Sequence, residues 1–402
     1  MVRTAARLLG EDVIEAVRRP IESARGLPAL AYTSEEFFEL EQQKYFARTW
    51  MGVAYTCDIP DPGDAMPITV AGLPIILVRT HENEIKAFHN VCRHRAAMVL
   101  TEPCKKAKQL QCPYPAWAWD LDGRLRAAPY FDGSKSGLEE GFLDRESLGL
   151  VSANCAVWHH WIFVNLAGNA PPIEQHMQPL TELMNGADLG ATRVAERVDW
   201  EFQANWKMSN DNWENYHHMW AHYPIYTKVT DDLDLKTRKP WSVSLQNGAV
   251  MSLKRDSKKA PPYPKRESNL PMIPFPDGAE RVTAPNLVLP NVEITVVRDN
   301  IGSVIIEPLA PDRSVARMAF FFVGDGATDP AYEEGRNLNF DRWLGESRSP
   351  AARDGLRNQD MRIWESQQIA RRSPAADEVV FSPVWEENVH YFQNQLLDYL
   401  TA

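Results

Sequence analysis

Cys92-Arg93-His94 and, after seventeen intervening residues, Cys112-Pro113-Tyr114-Pro115 form the stretch on which the reading of this chain turns. Two cysteines and two histidines spaced C-x-H … C-x-x-H can grip a [2Fe–2S] centre, with thiolates on one iron and imidazoles on the other. Here the fourth corner is Pro115, which has no ligand atom. Cys92 and His94 stand two apart, so on an extended strand they would project from one side. The prolines of the second half forbid regular structure there. Two tight loops on neighbouring hairpins are the expected carriers. A plainer alternative stays open: two buried core thiols and a surface histidine.

Working outward, the composition sets bounds. The chain has 402 residues and a formal charge of −11, which argues against broad binding to nucleic acid or an anionic membrane, since both need a basic surface. Five cysteines at irregular spacing (57, 92, 104, 112 and 155) do not make a disulfide framework in a chain of this length. The first twenty residues have no secretory apolar stretch, and no run reaches the length of a membrane span. The expectation is a cytoplasmic protein, where Cys beside His points to metal.

The pattern along the chain divides it. Residues 11–27 and 33–48 read as helical, the second opening on Thr33-Ser34-Glu35-Glu36. From Trp50 short β-rich runs follow at 67–70, 73–79 and 84–88, then a strand, Asp-Gly turn and strand over 117–125, and a strand over 157–164. Ala-Gly-Asn-Ala-Pro-Pro at 167–172 marks a boundary, with a helix expected at 173–187. Residues 200–224 read as a strand end running into a helix, and 254–290 as a long functional loop or lid. Strands are expected at 293–298, 303–307 and 315–323, and helices at 330–345, 354–372 and 386–400. The domains are therefore set at 1–44 (a helical segment packing on the last domain), 45–168 (all-β) and 169–402. The class is α+β, because strands and helices do not alternate regularly.

A second constellation lies in Asn212-Trp213-Glu214-Asn215-Tyr216-His217-His218-Met219-Trp220-Ala221-His222. Two histidines and one carboxylate on one side of an iron form the facial triad of non-haem Fe(II) oxygenases. Helix geometry alone selects His218 and His222, an i, i+4 pair that suits zinc equally well. A zinc hydrolase is disfavoured, since no H-E-x-x-H arrangement is present. Pro224 is placed to end this helix. Trp213, Tyr216, Trp220 and Tyr223 could wall a pocket for a cation or a ring, or simply be core.

Residues 84–100 (EIKAFHNVCRHRAAMVL) and 111–125 (QCPYPAWAWDLDGRL) resemble the Rieske domain of ring-hydroxylating oxygenase α subunits. The resemblance runs from about residue 33 to 372. The family pattern has His where this chain has Pro115 and commonly Gly where it has Ala96. It implies an N-terminal all-β Rieske [2Fe–2S]-like domain and a C-terminal helix-grip catalytic domain with an antiparallel sheet. Cys92, His94 and Cys112 are implied cluster ligands. Acid, two residues, His, four residues, His implies His217 and His222 as Fe(II) ligands, with His218 behind them. Asn358-Gln359-Asp360 … Glu365 … Gln368 resembles the family's late helix and makes Asp360 the third ligand. Glu214 is implied to bridge an iron histidine to the neighbouring subunit's cluster in a trimer, with Asn212 as a nearby polar residue.

The implied function is O2- and NAD(P)H-dependent hydroxylation, dihydroxylation or demethylation of a small organic substrate. Electrons are implied to come through a ferredoxin or flavin reductase to a homotrimer or a heteromer with a homologous subunit. Pro115 removes the cluster histidine that Glu214 is implied to contact. Either a single substitution has struck an intact oxygenase, or the chain is a cluster-less subunit supporting a competent homologue, or Cys104 or His89 replaces the lost ligand. A non-catalytic binding protein on the same scaffold is the reading from another class. Glu214 in place of the commoner Asp leans toward quaternary amines.

Overall fold

The computed structural model describes residues 4–114, 116–135, 144–215, 217, 218, 222, 242–255, 269–279, 284–352 and 354–402. Pro115, Tyr216, Trp220, Tyr223, Pro224 and much of the expected 254–290 loop lie outside the described residues. The chain forms two compact units, Phe46–Ile173 and a second built from Met1–Tyr45 with Glu174–Ala402.

The first unit is a β-domain. Its strands are β1 (Met51–Tyr55), β2 (Ala65–Val70), β3 (Leu73–Arg79), β4 (Ile85–His89), β5 (Leu110–Gln111), β6 (Ala118–Trp119), β7 (Leu125–Ala127), β8 (Ser152–Trp158) and β9 (Trp161–Asn165). One antiparallel sheet runs β1-β9-β8-β4-β3-β2 and a small one β5-β6-β7. The run expected as a single strand over 157–164 is instead a hairpin. His159 takes a left-handed φ of 49°, and Trp158 pairs with Trp161 across a two-residue turn. The Asp-Gly turn is present, with Gly123 at φ 84°. A Cβ there would lie 2.5 Å from the Phe88 ring, so the close approach needs glycine. Phe88, Trp117, Trp119, Leu110, Cys92 and Cys112 share one buried cluster.

The second unit holds a sheet in the order β10-β16-β15-β14-β13-β12-β11 among the described residues. The strands are β10 (Thr192–Phe202), β11 (Ser242–Asn247), β12 (Val250–Arg255), β13 (Ala284–Val288), β14 (Val292–Val296), β15 (Asn300–Ala310) and β16 (Arg313–Val323). β15 is buried at seven consecutive residues, Asn300 to Ile306, so both faces of the sheet centre are covered. The helix Leu356–Ala370 lies against this sheet: Arg357 pairs with Glu293 on β14 at 2.6 Å, and Trp364 packs on Phe202 of β10.

The N-terminal helices are shorter than the sequence pattern indicates. Glu11–Arg18 stops ahead of Pro20, whose ring and missing N–H cannot continue it, and Glu35–Glu41 passes into one wide turn at Gln42–Phe46. The helix expected at 173–187 ends at Leu183, and among the described residues of 200–224 the α-helix is the short Lys207–Asp211. No helix among the described residues is long and apolar enough to cross a membrane.

Candidate metal centres

In the β-domain, the described residues of the two halves of the opening motif make matching turn contacts. Ala96 donates its N–H to the Cys92 carbonyl at 3.0 Å, and Ala116 donates to the Cys112 carbonyl at 3.1 Å. Ala96 and Ala116 both take left-handed φ values, 57° and 75°. The position where the family commonly has glycine thus keeps a conformation that glycine favours. Cys92 and Cys112 are buried, unoxidised and in contact. Burial pushes the Cys112 thiol up, Tyr114 N–H opposes this, and the neighbouring Cys92 adds to the rise. Tyr114 N–H donates to the Cys112 sulfur at 3.3 Å.

His94 stacks on Trp117 with ring centroids 5.0 Å apart, and its buried Nδ1 has no hydrogen-bond partner among the described residues. Two adjacent thiols and an orphaned imidazole nitrogen fit three corners of a [2Fe–2S] site. Pro115 offers no donor for the fourth, so the residues present fit the group incompletely. Cys104 is tied to Ala65 by a reciprocal pair of backbone hydrogen bonds and is half-buried against the core.

The second unit brings together three donors. His218, His222 and Asp360 each offer an atom within 4.8 Å of the others. His222 Nε2 lies 3.4 Å and His218 Nε2 3.7 Å from Asp360 Oδ1. Ligands at about 2.1 Å from one ion and at right angles stand about 3 Å apart, so small movements close this set on a metal.

The outward nitrogens are also held. His218 Nδ1 and its backbone N–H both meet Glu214 Oε1, and His222 Nδ1 meets Gln359 Oε1 at 3.0 Å. Each contact turns the Nε2 lone pair inward, the arrangement usual around bound metals. Burial lowers the His218 pKa, but Glu214 and Asp360 outweigh it and leave it raised. His222 is lowered, by burial first, with His218 and Arg357 adding to the effect against Asp360 and Gln359. Asn212 Nδ2 donates to Asp360 Oδ1 at 3.1 Å.

One sequence expectation is placed differently. The spacing rule puts His217 beside His222 and Asp360; in the structure His218 occupies that position. His217 turns away, exposed and stacked on Trp385 with centroids 5.3 Å apart and planes 7° from parallel. Its Nδ1 is 3.6 Å from Glu214 Oε2, and with Glu386 these residues form a second group of possible donors. Consecutive residues point in different directions, and here His218 faces Asp360 while His217 faces Glu214 and Glu386. The i, i+4 relation of His218 and His222 carried this signal in the sequence. Gln359, Trp385 and Glu386 carried none beyond, for Gln359, its adjacency to Asp360. Of the expected aromatic wall, Trp213 is described and is buried.

Comparisons with known proteins agree with this architecture. The ring hydroxylating alpha subunit (catalytic domain) family model matches residues 189–402, and the Rieske [2Fe-2S] domain model matches 49–137. The chain belongs to the ring-hydroxylating α-subunit family. It is 30% identical over 208 residues to the glycine betaine monooxygenase oxygenase subunit of Pseudomonas aeruginosa (strain UCBPP-PA14), covering 52% of this chain and 47% of that protein. It is 29% identical over 236 residues to the carnitine monooxygenase oxygenase subunit of Acinetobacter baumannii (strain ATCC 19606), covering 58% and 61%. The chain thus spans about half to three fifths of the length of these relatives.

Among solved structures, the apo form of the quaternary ammonium Rieske monooxygenase CntA aligns with a TM-score of 0.71 at 21% identity, covering 94% and 95% of the two chains. Naphthalene 1,2-dioxygenase from Rhodococcus sp. aligns equally well at 18% identity, covering 97% of each. These likenesses establish the fold: an N-terminal β-domain of Rieske type and a catalytic domain built on an antiparallel sheet.

Proposed function

We propose that the chain is the α subunit of a Rieske-type oxygenase that hydroxylates or demethylates a small organic substrate, with a quaternary amine as the favoured class. The observation that carries the reading is the convergence of His218, His222 and Asp360, each histidine braced on its far nitrogen. His218, His222 and Asp360 would hold Fe(II), which would supply one-electron and O2 chemistry there. The chain's own residues do the positioning. Glu214 holds the His218 ring, Gln359 holds His222, and Asn212 holds the carboxylate of Asp360. The quaternary-amine preference rests on Glu214 and on the names of the glycine betaine and carnitine relatives.

Glu214 is also proposed to face a neighbouring subunit of a homotrimer, or of a heteromer with a homologous chain. NAD(P)H-derived electrons would arrive through a ferredoxin or flavin reductase. Pro115 impairs that supply, because it has neither a ligand atom nor a hydrogen-bond donor.

The test uses the whole chain purified without oxygen. Expected are about one mononuclear iron per chain and weak or absent Rieske absorption, with Pro115→His bringing the absorption back. A full [2Fe–2S] spectrum in the unaltered chain refutes the impairment. If Pro115→His restores the spectrum yet reductase and quaternary amine yield no NAD(P)H-dependent product, the substrate class is refuted.

A further inference from the structure

His222 is gripped from both sides by consecutive residues of one helix. Gln359 Oε1 meets its Nδ1 at 3.0 Å, while Asp360 Oδ1 is 3.4 Å from its Nε2. Successive helix positions diverge by about 100°, so two neighbours normally serve different surroundings. Here the imidazole lies across the helix face and both reach it. All three side chains are buried, with 4% exposure for His222, 9% for Gln359 and 7% for Asp360. Water is a poor substitute for either contact at that depth.

The amide oxygen of Gln359 can only accept, so the nitrogen it meets must carry the proton. The Nδ1–H form leaves the Nε2 lone pair free and aimed toward Asp360. With the amide turned over, its NH2 group would face Nδ1, favour the proton on Nε2 and block the lone pair that a metal needs. The two histidines are also braced unequally. His218 leans on the anionic carboxylate of Glu214, which strengthens an imidazole as a donor; His222 leans on a neutral amide, which orients it with less such effect.

We infer that Gln359 is a positioning residue that selects the Nδ1–H form of His222 and thereby sets how tightly the triad holds its metal. The inference rests on the iron-site reading above and goes beyond it to a residue outside the triad.

The experiment is a competition titration of Fe(II), and of Co(II) as a spectroscopic stand-in, against a chelator in the whole chain. Gln359→Leu removes the acceptor at similar volume and is expected to weaken affinity by about 10- to 100-fold and to alter the Co(II) absorption bands. Gln359→Glu keeps an acceptor and is expected to bind at least as tightly as the unaltered chain. Should Gln359→Leu bind Fe(II) normally, or Gln359→Glu lose about 10-fold or more of the affinity of the unaltered chain, the inference is overturned. If Gln359→Leu does not fold, the Glu variant still decides. His222→Ala separates the two levels: if it leaves affinity unchanged, the iron-site reading fails and takes the inference with it. If it abolishes binding while Gln359→Leu does not, only the inference fails.

Discussion

Asn212 donates to the same oxygen of Asp360, Oδ1, that faces His218 and His222. A carboxylate oxygen has two lone pairs, so Asn212 can use one and leave the other for a metal. Asn212 directly follows the short helix Lys207–Asp211, whereas Asp360 lies in the helix Leu356–Ala370, so this bond fixes one segment of the site relative to the other. Asn212→Ala is expected to lower Fe(II) affinity by about an order of magnitude. Asn212→Asp should lower it further, by setting a second anion against Asp360. Equal affinity in both variants, measured by chelator competition, would show that the bond does not hold the ligand.

The neighbouring histidines make a sharper prediction. His218 is seated 3.7 Å from Asp360, and His217 is stacked on Trp385. His218→Ala is expected to abolish stoichiometric iron in the purified chain, while His217→Ala retains most of it. Elemental analysis of the two proteins decides this. Iron lost from the His217 variant and kept in the His218 variant would return the ligand role to the residue that family spacing selects.

Much of this was legible in the sequence because it depended on local chemistry. Strand β3 was marked at its observed bounds by an apolar run between turn residues, and the Asp-Gly turn by Gly123. Cys92, His94, Cys112 and His222 stood out by residue type and spacing, and Asp360 by the resemblance of its segment to the family's late helix. Helix spacing selected His218 and the family pattern His217, so the choice between them did not, because it depends on the direction each side chain takes from the backbone. Nor did the contact of Gln359 with His222, which joins residues 137 apart. The hairpin at His159 was hidden within a continuous apolar and aromatic run, since a two-residue turn without Gly or Asn leaves little compositional trace.

The N-terminal segment is anchored by charge. Lys207 and Glu41 are both 0% exposed and pair at 2.6 Å, with Trp206 Nε1 donating to the other Glu41 oxygen at 3.0 Å. Burial pushes the Glu41 carboxyl up and the Lys207 ammonium down, and each partner offsets the other's shift. Removing one member leaves an uncompensated buried charge. Lys207→Met is therefore expected to cost about 3–5 kcal/mol in urea unfolding. The double variant Lys207→Met/Glu41→Leu should recover much of that loss, since two apolar groups remove the desolvation penalty. A double variant as unstable as the single one would mean that the pair contributes by shape rather than by charge.

His176 lies on the helix Ile173–Leu183, bonded to the backbone of Leu289, with its buried Nε2 unpartnered among the described residues. Burial lowers its pKa to about 4, outweighing the Leu289 contact. The unfolded chain takes up this proton near 6.5, whereas the folded chain waits until about 4. Between those values the unfolded state binds more protons, so stability rises with pH and falls on acidification. The contribution is complete above pH 6.5 and lost progressively toward pH 4. Its full size is about 3 kcal/mol, from roughly 1.4 kcal/mol per pKa unit. His176→Gln cannot take up this proton, so its unfolding free energy should fall less than that of the unaltered chain between pH 7 and 4.5. Parallel pH profiles for the two proteins would place the acid sensitivity in other groups.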